Sequence, residues 1–301
     1  MQNRMLASIA TAVLLGLPGR ATAQYLFLSG GSSGDIYRYT MDGTRSTLTS
    51  GLLYQGLACD DAGNLFAASP AAAGNIFTFT PAGMRTTFAS GLNQPYGLAF
   101  GSAGNLFEAD FGSGTIYEFT PSGARSSFAS GLGHPYGLAF DTADNLFVTA
   151  YRSSSLYRLT PGGVISSFGS GLVNPIGIAC DAAGNVFVAD QGGGGGADGS
   201  IYKFAQDGTR TTFATGLDVI GLAFDGAGNL YAAEYDGASS NLIYKFTPDG
   251  ARSTFSSGVN GNGMFFLAYE VPEPSVPAML GLAGVVLAGF RRRLCARKMD
   301  T

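Results

Sequence analysis

GLGHPYGLAFDTADNLFVTAYRSSSLYRLTPGGVISSFGS, residues 131–170, is one copy of a unit that fills most of the chain. The Gly-Leu that opens it recurs at Gly51, Gly91, Gly171 and Gly216, with Gly-Val at Gly258, so successive copies lie 40, 40, 40, 45 and 42 residues apart. Inside it, four short apolar runs at 137–140, 146–149, 156–159 and 166–169 are each closed off by Gly, Pro, Asp or Asn. Runs of that length between turn-forming residues read as β-strands joined by tight turns.

Four strands in a period of about 40 residues is the signature of a propeller blade. The array begins out of phase. Its first run, Tyr25–Ser29, matches the second strand of the unit, and its last, 264–269, matches a first strand with no second after it. Both half-units are accounted for if the last run pairs beside the first. Each strand type then occurs six times, the second at Leu26, Leu65, Leu106, Leu146, Val186 and Leu230, the third at Ile36, Ile76, Ile116, Leu156, Ile201 and Ile243. The expectation is an all-β, six-bladed β-propeller over 24–270 with four antiparallel strands per blade, closed by pairing of the C-terminal strand with the N-terminal strands. An open array would leave both half-units with unpaired edges.

Composition agrees with a single repeat domain. Charged residues are 13% of the 301, about half the usual share of roughly 25%. The 46 glycines recur at fixed offsets, which makes them turn chemistry rather than low complexity. Between residues 24 and 274 there are 10 Lys and Arg against 20 Asp and Glu, so this body carries 10 − 20 = −10. An acidic body repels phosphate backbones, which argues against nucleic acid as a partner.

The two ends differ from the body. Residues 1–23 read as a signal peptide: Arg4 gives a positive start, 5–17 is apolar, and Ala21-Thr22-Ala23 is the small-x-small pattern that signal peptidase accepts, with cleavage between Ala23 and Gln24. Thirteen apolar residues fall short of the ~20 that span a bilayer. At the other end, 271–301, Val271-Pro272-Glu273-Pro274-Ser275 precedes an apolar run at 276–290 and then Arg291, Arg292 and Arg293. Pro-Glu-Pro is a stiff extended segment, the apolar run suits transient residence in the membrane, and the arginines would hold its end on the cytoplasmic side.

The connections fall into two sets. First and second strands are joined by one formula, as in Asp60-Asp61-Ala62-Gly63-Asn64, 181–185 and 225–229; third and fourth by Thr-Pro-x-Gly, as at Pro81, Pro121, Pro161 and Pro248. Asp opening a tight turn caps its own backbone, so these aspartates read as turn residues rather than ligands. Arg45, Arg85, Arg125, Arg210 and Arg252 open the fourth strand, where a charge guards an exposed edge. Cys59 and Cys180 occupy a slot that other copies fill with Phe100, Phe140 and Phe224, and so read as thiols in an apolar site, three blades apart and too distant for a disulfide. The second-to-third and fourth-to-first connections share no formula and differ in length. In an up-and-down blade these two sets emerge on one face, and copies that vary on a single face point to its use.

Candidate site residues therefore come from that face. His134, the only histidine, has Gln94, Asn174 and Asp218 at equivalent places, while Asp110, Asp190 and Glu234 end second strands. Tyr96, Tyr136, Phe111, Tyr151 and Tyr235 alternate with them. Aromatic rings beside amides and carboxylates suit sugar rings. The carboxylates Asp110, Asp190 and Glu234 would serve instead for Ca2+ or another divalent metal.

The formula Gly-Leu-Ala-Phe-Asp, Gly-Asn-Leu-Phe-Val-Ala-Asp, Ile-Tyr-x-Phe-Thr-Pro-x-Gly resembles NHL-repeat propellers and the related gluconolactonase (senescence-marker) and streptogramin-lyase propellers. The likeness spans 24–270. It implies an inner first strand that places Gly97, Gly137 and Gly177 at the channel mouth, and it admits a metal-dependent lactonase-like hydrolase or a lyase as the alternative to a non-catalytic binding module. The tail resembles a PEP-CTERM sorting signal. That resemblance implies export across the inner membrane of a Gram-negative bacterium, processing by signal peptidase and an exosortase, transient anchoring in the inner membrane, and a final place in the envelope, surface or extracellular matrix, where polysaccharide or another envelope component is the expected partner.

Overall fold

The computed structural model describes residues 24–30, 33–70, 74–193, 199–235, 241–259 and 266–270. The export and sorting segments expected at 1–23 and 271–301 lie outside them. Among the described residues no helix is long and apolar enough to cross a membrane.

Six four-stranded antiparallel sheets form a six-bladed β-propeller. Blade four has Pro135–Phe140 innermost, followed outward by Leu146–Ala150, Ser155–Leu159 and Ile165–Gly169. Blade one is assembled from both ends of the domain: Leu267–Tyr269 is innermost, beside Tyr25–Ser29, Ile36–Thr40 and Arg45–Thr49. Leu28 faces Leu267, Phe27 faces Ala268 and Leu26 faces Tyr269, and the Glu270 N–H donates to the Tyr25 carbonyl at 3.0 Å. The expected closure by strand exchange is therefore present. Both chain ends of the ring sit where first strands end and second strands begin, on the face of the formulaic turns.

Period-2 alternation decides what each blade buries. Isoleucine or leucine opening the third strands at 36, 76, 116, 156, 201 and 243 is fully buried in every copy. Each third strand then carries a bulge against its outer strand just past that residue, for example between Ile116 and Tyr117. Between blades an aromatic contact repeats. Phe66 lies edge-on to its own outer-strand Phe88 and to Phe100 of the next blade, both at 5.1 Å; Phe107 does the same with Phe128 and Phe140, and Phe187 with Phe213 and Phe224. Such pairs add about 0.5 to 1.5 kcal/mol each beyond area burial. At the equivalent places beside Phe27 and Phe147, Cys59 and Cys180 replace the inner-strand phenylalanine as free thiols, whose ionisation burial pushes far up.

The arginines of the outer strands do more than guard an edge. Arg45, Arg125 and Arg210 each stack on the adjacent third-strand tyrosine, at 5.1, 5.0 and 4.5 Å. Each also donates from Nη1 to a glycine carbonyl at the end of the preceding blade: Gly258 at 2.9 Å, Gly91 at 3.3 Å, and Gly171. They tie consecutive blades together at the rim.

Candidate functional site

The glycine of each inner strand explains why the axis is narrow. A Cβ on Gly56, Gly97, Gly137 or Gly177 would collide with the carbonyl of Tyr96, Tyr136, Ile176 or Ile220 in the next blade. Only glycine lets neighbouring inner strands approach this closely. The space left on the axis is about 40 Å3, lined by Gly97, Gly137, Gly177, Gly221 and a ring of leucines. That volume holds water, not a ligand. These glycines thus line a closed axis rather than its mouth, a correction to the placement expected above.

Blade one breaks the pattern. Register aligns Phe266 with the glycine position, since Leu267 pairs with Leu28 as Leu138 pairs with Val148. The Phe266 ring stacks on Tyr136 of the opposite blade, 5.6 Å between centroids and 18° between planes, and closes the axis below the loop face. Its N–H donates to Ser29 Oγ at 2.9 Å. At the matching place in blade four, Thr149 Oγ1 accepts from the Gly137 N–H at 2.9 Å and donates to the Ile176 carbonyl of blade five at 2.7 Å. Sequence reasoning missed Phe266 and Thr149, although stacking the copies in register shows Phe266 in a column of glycines and Thr149, with Ser29, in a column of alanines.

Above Phe266 the aromatic candidates of blades three and four come together. Tyr96 lies 4.9 Å from Phe111 and 4.7 Å from Tyr136, Tyr151 lies 5.9 Å from Tyr136, and the His134 ring packs 4.7 Å from Phe111. Tyr96, Phe111, Tyr151 and Tyr235 are half-buried and pack against the same core. Tyr136 is only 1% exposed, so it supports the cluster from beneath and has no surface for a ligand, contrary to its expected role.

The polar candidates are arranged by the backbone. The N–H after each second strand, in Phe111, Tyr151, Gln191 and Tyr235, donates to the carbonyl of Gln94, His134, Asn174 and Asp218 respectively, so the expected equivalence of these four places holds. Gln94 and His134 are held at φ 59 and φ 60, a left-handed conformation that costs a non-glycine residue energy. Gln94 is exposed; His134, Asn174 and Asp218 are half-buried. Asn174 also donates from Nδ2 to the Gly192 carbonyl at 2.6 Å.

The carboxylates expected to hold a metal are occupied by loop amides. Asp110, 1% exposed, accepts from the Asn93 N–H at 2.7 Å and the Ser113 N–H at 3.0 Å. Asp190 accepts from Val173, Asn174 and Gly192 at 2.8, 2.7 and 3.1 Å. Each pins the two variable connections of its blade. Glu234 is half-buried in blade six beside Asp218, whose carboxyl is raised by burial, eased down by a hydrogen bond from Gln191 and raised again by the Glu234 charge. Among the described residues no three His, Cys, Asp or Glu side chains gather as a metal site. Asp110, Asp190 and Glu234 stand in three different blades, and the first two already accept hydrogen bonds from loop amides. The turn aspartates behave as read: Asp60, Asp181 and Asp225 each accept from the Asn four residues on, through both its N–H and its Nδ2.

No family model matches the chain, and no curated protein matches its sequence. Solved structures place it among β-propellers. A gluconolactonase from Xanthomonas campestris superposes with a TM-score of 0.60 at 16% identity, over 76% of this chain and 81% of that one. A catalytically inactive virginiamycin B lyase from Staphylococcus aureus with quinupristin gives 0.59 at 17%, over 79% and 85%. TolB from Acinetobacter baumannii gives 0.65 at 14%, over 85% and 69%. At these identities the likeness establishes the fold alone.

Proposed function

We propose that the protein is an exported binding propeller of the bacterial envelope or exopolysaccharide matrix, non-catalytic, taking carbohydrate on the loop face. The observation that carries the reading is the half-buried aromatic surface of Tyr96, Phe111 and Tyr151 beside His134, over a plugged axis, with Asp110 and Asp190 already spent on loop amides. Such a surface offers ring faces flanked by Gln94, His134 and Asn174 as hydrogen-bonding groups, which is what a sugar requires. Among the described residues no cluster of carboxylates gathers as lactone hydrolysis with a metal would require. The ring is entered at Tyr25 and left at Glu270 on the formulaic face, opposite the loop face.

Binding of the purified domain to a panel of acidic and neutral polysaccharides tests the reading. Tyr96→Ala and Tyr151→Ala should each weaken binding by about 0.5 to 1.5 kcal/mol. Turnover of an aldonolactone or a streptogramin B, or polysaccharide binding that both variants leave intact, would overturn it. The sorting reading is tested by mass spectrometry of protein from its native host, where a C-terminus retaining Arg291 to Arg293 would count against exosortase processing.

A further inference from the structure

On the opposite face, between blades five and six, an open cleft of about 300 Å3 reaches in toward Phe187, Phe213 and Phe224, with Asp181 and Lys203 on its walls. Its size matches the lower end of the ~300 to 1,000 Å3 range of small-molecule pockets. The same interblade position between blades one and two retains only about 30 Å3. Repeat alignment shows why. There, Tyr25 and Arg38 stack at 4.7 Å and Glu270 reaches into the space. Between blades five and six the matching places hold Asn185, folded back onto Asp181, the slimmer Lys203, and Asp181, one methylene shorter than Glu270.

The cleft carries two opposite charges that do not pair with each other. Lys203 rests over the Phe187 ring at 5.4 Å and has no carboxylate partner among the described residues. Asp181 accepts from the Asn185 N–H and Nδ2 at 2.8 and 2.7 Å, whereas Asp60 and Asp225 accept in addition from the amide two residues on. Asp181 thus keeps more acceptor capacity facing the cleft than its siblings. Phe187, Phe213 and Phe224, with Ala227, Leu230 and Pro248, make up the apolar part of the lining. A net-neutral lining of this kind disfavours a simple anion, and so does the acidic body around it.

We infer that the cleft between blades five and six is a second binding site, for a small zwitterion with an apolar body such as a free aromatic amino acid, its carboxylate on Lys203, its ammonium on Asp181 and its ring against Phe187, Phe213 and Phe224. The site is independent of the loop face and of carbohydrate.

Calorimetric titration of the intact domain with L-phenylalanine tests this. Saturable binding should appear, fall at least tenfold in Lys203→Met and in Asp181→Asn, and fall likewise for phenethylamine, which lacks the carboxylate, and for 3-phenylpropanoate, which lacks the amine. Lys203→Met lies at a half-exposed wall and should retain the parent's melting transition, so its loss of binding is not a loss of fold. No binding of L-phenylalanine, equal binding by Lys203→Met, or tighter binding of 3-phenylpropanoate than of L-phenylalanine would each overturn the assignment.

Discussion

Glu108 is the residue that least suits its surroundings. It sits in the second strand of blade three, fully buried, at the place where other blades carry Leu28, Ala67, Val148, Val188 and Ala232, and neither carboxyl oxygen has a partner among the described residues. Burial pushes its carboxyl well above the ordinary carboxylate range, and the neighbouring Asp110 charge pushes the same way, against a smaller opposing pull from Arg125. A carboxyl raised on folding holds its proton in the native state more tightly than in the unfolded one. Its contribution is complete below the unfolded value of about 4.3 and is lost as pH rises from there through the folded value. Glu108→Val should therefore stabilise the domain by about 1 to 3 kcal/mol, the cost of a buried unsatisfied polar group, with the gain larger at pH 8 than at pH 4. Guanidinium unfolding at the two pH values checks it; a gain at pH 8 equal to or smaller than that at pH 4 would show that Glu108 has found a partner. Sequence reasoning did not single out Glu108, although aligning the copies places it in a column of otherwise apolar residues. The roles of Asp110 and Asp190 were not visible, because their partners are backbone amides of loops that share no formula.

At the level of the strand, the outer edges show how much of an element the sequence can announce. Strand order, turn positions and the six-fold count were legible because period-2 burial and turn chemistry repeat in every copy. The rim contacts were not, since they join a side chain to a carbonyl of the preceding blade, about 35 to 40 residues earlier in the chain for Arg125 and Arg210. Blade four lacks the arginine: Ile165 stands there, 37% exposed, beside Val164 at 66%. Ile165→Arg should lay its guanidinium on Tyr157 and reach the Gly131 carbonyl, as Arg125 lies on Tyr117 and reaches Gly91. The expected gain is about 0.5 to 1 kcal/mol, the worth of an exposed cation–π contact, and Arg125→Ala should lose a similar amount. Chemical denaturation of the two variants measures both. A neutral Arg125→Ala would reduce these contacts to decoration of the edge, and the original edge-guard reading would then suffice.

Closure governs the molecule as a whole. Every blade but the first is continuous in sequence, so the ring is held shut at the one sheet that joins residues 267–269 to residues 25–29. Removing 264–269 would take away the innermost strand of blade one, leave the Tyr25–Ser29 strand with an open edge, and withdraw Phe266 from Tyr136 across the axis. It would also strip the Ser29 hydroxyl of the amide it accepts from and expose Leu26 and Leu28, both buried in the closed ring. Because inner strands contact one another around the axis, that opening has no local boundary at which to stop. The deleted protein should lose its cooperative melting transition altogether, where an open array of stacked repeats would only lose the share of its terminal unit. Phe266→Gly is the finer probe. It restores the residue that the other five inner strands carry and keeps the strand, so the ring should still close, with a wider axis and a lower melting temperature from the lost ring packing, on the order of the 3 to 5 kcal/mol seen when a buried phenylalanine is truncated. A deletion protein melting like the parent, or a Phe266→Gly variant that fails to fold while the deletion folds, would place the closing contact somewhere other than the sheet shared by the two ends.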